Sequence, residues 1–294
     1  MPVRVRGKQP KFNHLRYMKP LLDWQNPEVV DIYDEVNLWS APFGLLLLEQ
    51  LPMQPNLTIV DVGFGTGFPL IELAQRFGPT TRVYGIDIWD AAISRSRKKA
   101  DRLGLTNVEI MARSATDTGL PDGLADLVTS NLGINNFAEK DRVLTEILRI
   151  LKPRGKCCIT TNPVGTFREF YTFFAHALEA LELREELAAL QNHQERRGTP
   201  ESIVTDFSRA GFDCVKKKAG VTHLRFSAAA ALFDHSLIRI GFREQWEAII
   251  GPQRRDEVFG RLSAAIEKEI ATSGVFTLTV PMLYLEFEPR RRED

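Results

Sequence analysis

The sequence predicts an α/β fold with a doubly wound, mostly parallel sheet, and two observations support this prediction. Between residues 53 and 162, short β-branched runs alternate with segments whose apolar residues recur at helical spacing. Such alternation over short intervals is typical of a parallel sheet with helices on both faces. The first strand–helix unit also contains a glycine-rich turn, which is where sheets of this kind bind ligands.

The glycine-rich turn lies in the stretch TIVDVGFGTGFPL, residues 58–70. Its β-branched residues suit a strand buried on both faces. Gly63, Gly65 and Gly67 end the strand at alternate positions, where a close backbone approach and positive φ angles exclude a Cβ. A helical pattern follows at once. The unit predicts a nucleotide-like ligand at the carboxyl end of the strand, and the alternative is a tight turn without a ligand.

A second strand, residues 82–88, carries an acidic residue near its end. Asp87 lies twenty residues after Gly67, which is about the interval at which a carboxylate reaches ribose hydroxyls. The alternative is that Asp87 caps the next helix, but Asp90 is better placed for that task. The pattern therefore favours a ribose-binding carboxylate.

Three further strands complete the predicted core. They cover residues 107–111, 124–130 and 156–161. An amphipathic helix over 139–151 and a turn at 152–155 precede the last of them. The predicted core thus alternates strands and helices, except that a polar stretch, residues 112–123, joins the third strand to the fourth.

The chain divides into four predicted parts. Residues 1–52 form an N-terminal arm with lid helices, and residues 53–162 form the ligand-binding α/β core. Residues 163–198 form a helical lid. Residues 199–294 complete the core, with a helical insertion at about 227–272 and a final strand.

Both lid regions contain aromatic residues with two possible roles. The first 26 residues are polar and basic, which predicts a loose arm, and a helical pattern then begins at Pro27 and is interrupted at Pro42. Within that pattern, Tyr33 and Trp39 are either core residues or substrate-binding residues over the glycine turn.

The final strand, residues 277–287, contains Pro281, which predicts an edge strand or a bulge.

Composition limits the classes of partner. Lys+Arg and Asp+Glu both number 38, so zero net charge gives no electrostatic case for nucleic acid or an anionic membrane. Cys157, Cys158 and Cys214 lack metal-ligand spacing, and the adjacent pair is expected to be buried on opposite faces of a strand. We expect no metal site. No apolar segment approaches the roughly 18 residues of a membrane span, and we expect a cytoplasmic protein.

Four motifs, in order, resemble the class I S-adenosylmethionine-dependent methyltransferases, in particular the small-molecule branch that includes quinone-biosynthesis enzymes. They are VDVGFGTG (60–67), YGIDI (84–88), LPDGLADLVTSNL (120–132) and EILRILKPRGK (146–156). The resemblance implies S-adenosyl-L-methionine as cofactor and a seven-stranded sheet with an antiparallel last strand. A dinucleotide fingerprint would need a small residue at Phe68 or Leu70, and neither is small.

The resemblance also implies roles for individual residues. The amino-acid end of the cofactor would lie against the turn and the preceding acid, which are Asp61, Gly63, Phe64, Gly65, Thr66 and Gly67. Asp87 would bind the ribose, and Ile88 would pack on the adenine. Where many relatives have an adenine-binding Asp, this chain has Ser114, Ala115 and Thr116, with Asp117 as a substitute acceptor.

The segment after the fourth strand departs from the family pattern. Relatives often place histidines there, near donor and acceptor, whereas this chain has Asn135 and Asn136. Asn131, at the end of the strand, is a predicted cofactor contact. We expect Asn135 near the reaction and Asn136 near the substrate. Because an amide is not a base at neutral pH, either a base comes from elsewhere or none is needed.

The aromatic helical pattern of the lid supplies candidate catalytic residues. Methyl transfer from a sulfonium depends mainly on alignment, and a phenolic or carbon acceptor also needs deprotonation. His176 with Tyr171 is the predicted base, and Phe170 would contact a flat or apolar acceptor. A place in the core or on the surface is the alternative for each.

These observations favour a methyltransferase acting on a small aromatic or apolar acceptor. The alternative is a catalytically inactive, S-adenosylmethionine-binding regulatory or interaction protein, in which Asn135 and Asn136 mark lost catalysis. Methylation of protein or nucleic acid is disfavoured by the neutral charge and by SNLG standing where an Asn-Pro-Pro-aromatic sequence would be. The sequence leaves a homodimer open.

Overall fold

A computed structural model describes residues 23–35 and 39–291 of the chain. In this described part, seven strands form one sheet in the order β3-β2-β1-β4-β5-β7-β6. The strands are β1 (Thr58–Val62), β2 (Arg82–Asp87), β3 (Val108–Ala112), β4 (Ala125–Asn131), β5 (Leu151–Thr161), β6 (Phe212–Phe226) and β7 (Phe276–Pro289). The first five are parallel, and β7 runs antiparallel to both β5 and β6. The predicted seven-stranded, doubly wound sheet is confirmed.

Helices cover both faces of the sheet and one end of it. They are α1 (Pro27–Glu35), α2 (Ser40–Gln50), α3 (Leu70–Phe77), α4 (Asp90–Arg102), α5 (Lys140–Ile150), α6 (Arg168–Glu179), α7 (Arg184–Glu195), α8 (Pro200–Arg209), α9 (Ala229–Asp234), α10 (Ser236–Gly241), α11 (Arg243–Ile250) and α12 (Arg255–Ser273). Among the described helices, none combines the length and apolar character needed to cross a membrane.

The core is divided between the two faces of the sheet. Cys158 packs on one face with the apolar sides of α2, α3 and α4. Cys157 packs on the other face with α5 and α8. Both thiols are buried, so the predicted placement of this pair on opposite faces is confirmed. A third cluster joins α6 to α9–α12 and packs on the ends of β6 and β7.

The predicted turn at 152–155 lies inside β5. Ala125 of β4 pairs with Leu151 and Leu127 pairs with Lys156, so β5 carries extra residues at this point, as a bulge does. A Cβ on Gly155 would lie 2.8 Å from the Ala125 carbonyl oxygen, which explains the glycine. The extra residues are accommodated as a bulge within β5, and the strand continues past them.

One proline-based expectation needs correction, and another holds only locally. Pro42 does not interrupt a helix, because it lies in the first turn of α2, where the missing N–H costs nothing. Pro281 lies in β7, which is flanked on both sides, whereas β6 is at the edge of the sheet. However, β5 pairs with β7 only from Leu283 onward, so Pro281 has a strand neighbour on one side, as its missing N–H requires. Most of the predicted loose arm, residues 1–22, lies outside the described residues.

Glu146 of α5 provides a test of the core. Its carboxylate accepts hydrogen bonds from the Thr118 backbone N–H at 2.8 Å, from the Thr118 hydroxyl at 2.6 Å and from Arg149 at 2.7 Å. The hydrogen bond from Arg149 is the main cause that lowers the pKa of Glu146 to about 2. The buried carboxylate thus joins α5 to the loop that leads into β4.

We predict that Glu146→Gln lowers the free energy of unfolding by about 2 kcal/mol at pH 7, because charged hydrogen bonds are lost. The lowered pKa means that the contribution of Glu146 is complete above its unfolded pKa of 4.5 and disappears as the pH falls toward about 2. Denaturant unfolding at pH 7 and pH 3 measures both effects. The exposed pair partner Glu72, changed to Gln, is the control and should cost less than about 0.5 kcal/mol. Equal losses for the two variants at pH 7 would contradict the prediction.

Candidate active site

A cavity of about 710 Å³ opens at the carboxyl ends of the parallel strands. The loops after β1, β2, β3 and β4 form its floor, with residues 63–66, 87–89, 113–116 and 131–133. Residues from α1, α2 and α10–α11 form its walls. This is where open α/β sheets bind ligands. The structure brings together here the predicted residues 63–66, Asp87, Ile88, 114–116 and Asn131.

The glycine turn is fixed by contacts to both neighbouring strands. Gly63 and Gly65 have φ angles of 77° and 55°. The Gly63 N–H donates to the Ile86 carbonyl at 2.8 Å, and the Gly65 N–H donates to Oδ2 of Asp87 at 2.7 Å. On the other side, a Cβ on Gly63 would lie 3.2 Å from the Cα of Gly133. Positive φ and close backbone contact therefore both require glycine here.

Asp87 organises the β2 side of the cavity. Besides Gly65, its carboxylate accepts from the backbone N–H groups of Ile88 at 2.7 Å and Trp89 at 2.9 Å. A carboxylate offers about four acceptor positions, so one remains for a ligand hydroxyl. Next to it, Ile88 is an apolar residue that is 72% exposed and lines the cavity.

Asp61 and Gly67 lie behind the cavity wall and do not line it. Asp61 is fully buried, and Thr129 donates to its Oδ1 at 2.8 Å, while Oδ2 has no hydrogen-bond partner among the described residues. Burial raises the pKa of Asp61 to about 7, and the nearby charge of Asp87 adds to the effect. Gly67 packs against Ser96, whose Oγ would lie 3.0 Å from an added Cβ. Both residues support the turn from below.

The loop after β3 places three small residues in the cavity wall. Ser114, Ala115 and Thr116 all line it, and the Ser114 and Thr116 hydroxyl oxygens are 2.8 Å apart. Asp117 pairs with Ser114 in a short bridge and does not line the cavity. A substitute role for Asp117 is therefore not supported by its position.

Two aromatic groups line opposite sides of the cavity. Tyr33 lies on the β2 side with Trp24 and Trp89. Burial raises the pKa of Tyr33, and the charge of Asp87 adds to the effect, so its phenol stays protonated at neutral pH. Trp39 lies on the β4 side, where its ring meets Phe242 at 5.2 Å.

The three asparagines after β4 occupy different positions. Asn131 and Asn136 line the cavity. Asn131 is held by the Thr160 hydroxyl, which donates to its Oδ1 at 2.6 Å. Asn135 does not line the cavity, because its amide donates to Asn162 at 2.8 Å and anchors the loop to the end of β5.

The aromatic helix predicted to supply a base is α6, and its predicted site residues lie either in the core or on the surface, away from the cavity. Phe170 is fully buried and stacks on Trp246 at 4.1 Å. The Tyr171 hydroxyl is buried between the indole N–H of Trp246 at 3.2 Å and Nε2 of His193 at 3.1 Å. His176 is exposed and lies in a separate groove between α6 and α12. The placement of these three predicted residues at the acceptor is thus corrected.

His193, which replaces His176 as the partner of Tyr171, is also unsuited to act as a base on a bound ligand. Burial lowers its pKa to about 4, and the charges of Arg197 and Arg196 add to the effect. It does not line the cavity. Its role is to satisfy the buried hydroxyl of Tyr171.

Sequence reasoning missed several cavity residues. Trp24 falls in a segment that reads as a polar arm, and Trp89 follows the Asp87–Ile88 motif without a periodic signal. From the C-terminal insertion, the residues missed are Ser236, Leu237, Ile240, Gly241, Phe242 and Gln245. Among these missed residues, Trp89 alone could have been predicted from its local sequence, because it lies two residues after the predicted ribose-binding acid, Asp87.

No group of three or more His, Cys, Asp or Glu side chains in the described ranges could hold a metal ion. The cavity lining offers backbone N–H groups, the organised carboxylate of Asp87, hydroxyls and side-chain amides, and apolar rings, with Arg113 and Glu139 as further charged groups. This arrangement can hold a nucleoside on the β2 side and an apolar molecule on the β4 side.

Comparison with known proteins agrees with this geometry. A family model described as a methyltransferase domain matches residues 53–209. Nocamycin O-methyltransferase of Saccharothrix syringae is 28% identical over 265 residues, which are 86% of this chain and 93% of that protein. Demethylmenaquinone methyltransferase of Geobacillus sp. strain WCH70 is 29% identical over 198 residues, 64% of this chain and 82% of that protein.

A solved structure shows the same fold. A Bacillus halodurans protein proposed to be a methyltransferase superimposes with a TM-score of 0.56 at 15% sequence identity. The superposition covers 84% of this chain and 99% of the other. At that identity the likeness concerns the fold alone.

Gly44 of α2 supports a cavity residue, and this contact can be tested. A Cβ on Gly44 would lie 2.1 Å from the Phe68 ring, which lines the cavity. We predict that Gly44→Ala lowers the free energy of unfolding by about 1–3 kcal/mol through overpacking. The matched control is Gly260→Ala in α12, where nothing lies within 4 Å, and this variant should be stabilised by about 1 kcal/mol. Denaturant unfolding measures both, and the same sign for both would contradict the prediction.

Proposed function

Because the chain belongs to the methyltransferase domain family, as an S-adenosylmethionine-dependent enzyme of the small-molecule type, we propose that it methylates a flat, largely apolar acceptor bound against Trp39. The observation that carries this proposal is the division of one cavity into two unlike walls. The β2 wall has a carboxylate with spare acceptor capacity. The β4 wall is mainly aromatic and aliphatic.

The residues of the β2 side fit the cofactor. The remaining acceptor position of Asp87 suits a ribose hydroxyl, and the exposed side chain of Ile88 suits one face of the adenine. Ser114 and Thr116 offer hydroxyls near the expected ring edge. When bound, the cofactor supplies an activated methyl group on a sulfonium. The glycine turn brings backbone close to its amino-acid end, with Asp61 beneath.

The acceptor is proposed to lie on the β4 side. Trp39, Leu237 and Phe242 provide a wall of three apolar side chains, and Ile240 extends it. Asn136, Ser236 and Gln245 place polar groups among them, which would orient an acceptor without contributing charge. Alignment of the attacking atom with the methyl carbon is then the main contribution of the protein.

The ionisable residues that line the cavity favour an acidic acceptor. In the described part of the chain they are Tyr33, Asp87, Arg113 and Glu139. The phenol of Tyr33 stays protonated, Asp87 is held by three N–H groups, and Glu139 is exposed and paired with Arg142. We therefore favour an enol or an acidic phenol, whose oxygen ionises near neutral pH without a strong base. The name of the S. syringae relative, an O-methyltransferase, agrees with oxygen as the attacking atom.

The alternative of an inactive binding protein has no support in the comparisons, since the matched relatives are named as methyltransferases. A protein that only binds would release no S-adenosylhomocysteine with any acceptor. Three expectations from the sequence stay predictions. They are a cytoplasmic location, a possible homodimer and the absence of nucleic-acid partners.

We predict that S-adenosylhomocysteine binds the wild-type protein and that Asp87→Ala raises its Kd at least about a hundredfold, because a charged hydrogen bond is lost and the turn is loosened. Isothermal titration calorimetry measures the Kd. The control is Asp90→Ala, because Asp90 is exposed and lies outside the cavity. NADH should not bind. Equal Kd values for Asp87→Ala and wild type would overturn the assigned role of Asp87.

We predict that Trp39→Ala raises the KM for the acceptor about tenfold, because the acceptor loses the contact area of a large ring. The Kd for S-adenosylhomocysteine should stay unchanged, since Trp39 lies on the other side of the glycine turn. An acceptor screen over naphthols, catechols and cyclic β-diketones, with release of S-adenosylhomocysteine as readout, precedes the measurement. A raised cofactor Kd with an unchanged acceptor KM would contradict the two-wall assignment.

A further inference from the structure

Three aromatic rings form a continuous wall beside the proposed adenine position. The centroid distances are 6.0 Å from Trp24 to Tyr33, 5.5 Å from Trp24 to Trp89 and 5.4 Å from Tyr33 to Trp89, all edge to face. The indole N–H of Trp89 donates to the Trp24 carbonyl at 2.6 Å. All three rings line the cavity next to Ile88. Two of the three, Trp24 and Tyr33, come from α1 and the residues just before it.

Helix α1 has little apolar anchorage of its own. Within α1, Val30 alone is buried. The helix packs on α4 and on α10, and its most buried polar connection is Asp34, whose side chain is 7% exposed. Removing that connection would leave α1 held by Val30, by its packing on α10, by the half-exposed Asp31–Arg95 pair and by the aromatic contacts.

Asp34 joins α1 to both α4 and the glycine turn. Its Oδ2 accepts from Nε of Arg95 at 2.8 Å, and its Oδ1 accepts from Nζ of Lys99. The Lys99 ammonium also donates to the carbonyl of Thr66 at 2.8 Å. A single carboxylate thus fixes the cation that holds the turn.

The charge of Asp34 persists at neutral pH. Burial would raise its pKa, but hydrogen bonds from Lys99 and Arg95 outweigh burial and hold the pKa below its usual range. Replacing the carboxylate by a neutral amide would leave both cations without their shared partner, and such losses are costly when the groups are partly buried.

We propose that Asp34 is a positioning residue of the cofactor site. It holds α1 against α4 so that Trp24, Tyr33 and Trp89 form a preorganised wall on the adenine side, and through Lys99 it fixes the Thr66 carbonyl of the turn. Tyr33, expected from sequence to bind substrate, is thereby assigned to the cofactor. The inference rests on the proposed function of the same cavity. Preorganisation strengthens binding because less ordering is needed when the ligand arrives.

The test compares Asp34→Asn with Asp31→Asn. Asp31 lies one turn earlier on α1 and pairs with Arg95 at 3.1 Å, but it is half exposed and is not hydrogen-bonded to Lys99. Asp34→Asn should raise the Kd for S-adenosylhomocysteine about tenfold, within the usual range for coupled sites. Asp31→Asn should leave the Kd unchanged. Free adenosine should also lose affinity, because the aromatic wall faces that part of the ligand, but by no more than S-adenosylhomocysteine does, since adenosine lacks the amino-acid end that faces the turn.

A second variant separates positioning from folding. Trp24→Leu keeps the Asp34 anchor and removes one ring of the wall, and it should also raise the Kd for S-adenosylhomocysteine. Steady-state kinetics should show a raised KM for S-adenosylmethionine in both variants, with kcat and the acceptor KM unchanged. A merely structural role would not produce that division between the kinetic constants.

Three outcomes would overturn the inference. The first is that Asp34→Asn lowers only the melting temperature while the Kd stays at the wild-type value, which would make Asp34 structural. An equal rise in Kd for Asp31→Asn would point to general charge and not to the Lys99 connection. If wild type binds no S-adenosylhomocysteine, the proposed function itself fails, and that result is distinguishable because it needs no variant.

Discussion

The hydrogen bond from the Gly65 N–H to the Asp87 carboxylate is the contact on which the site depends. It joins the turn after β1 to the end of β2 at 2.7 Å, while the close approach of Gly63 to Gly133 joins the same turn to the loop after β4. Three loops are therefore fixed relative to one another by close backbone approach and by one carboxylate. Because backbone forms the floor, side chains from the surrounding helices are free to form the walls.

The strand order explains why the two walls differ. β1 lies between β2 and β4 in the sheet, so the loops of its neighbours reach the cavity from opposite sides. The β2 side carries Asp87 and the aromatic wall around Tyr33. The β4 side faces α10 and α11, which belong to the C-terminal insertion and not to the strand–helix repeat. Because α10 also packs on α1, changes in the insertion can reach both sides of the cavity.

The sequence alone allows a feature to be predicted where that feature depends on residues that are close together in the chain. The glycine turn, Asp87 and the alternation of strands and helices are local patterns, and the structure places them as expected. The sequence alone does not predict the role of a residue where that role depends on packing between segments that are distant in the chain. Phe170 and Tyr171 follow a helical apolar period that reports burial, but the period does not say whether the buried face meets a ligand or Trp246. Phe242 lines the cavity from the C-terminal insertion, well after the last core motif, which ends at Lys156.

The buried network behind the acceptor wall connects fold to function. Trp246, held by the Tyr171 hydroxyl and through it by a neutral His193, packs against Phe242 at 6.0 Å. Phe242 also meets Trp39 at 5.2 Å, so the wall is backed by rings whose polar atoms are satisfied. A wall held in this way resists rearrangement, because each ring fixes the next. In the proposed reaction the main requirement is alignment of the acceptor with the methyl group, so a rigid apolar wall opposite a fixed glycine turn would suffice for an acceptor that ionises by itself.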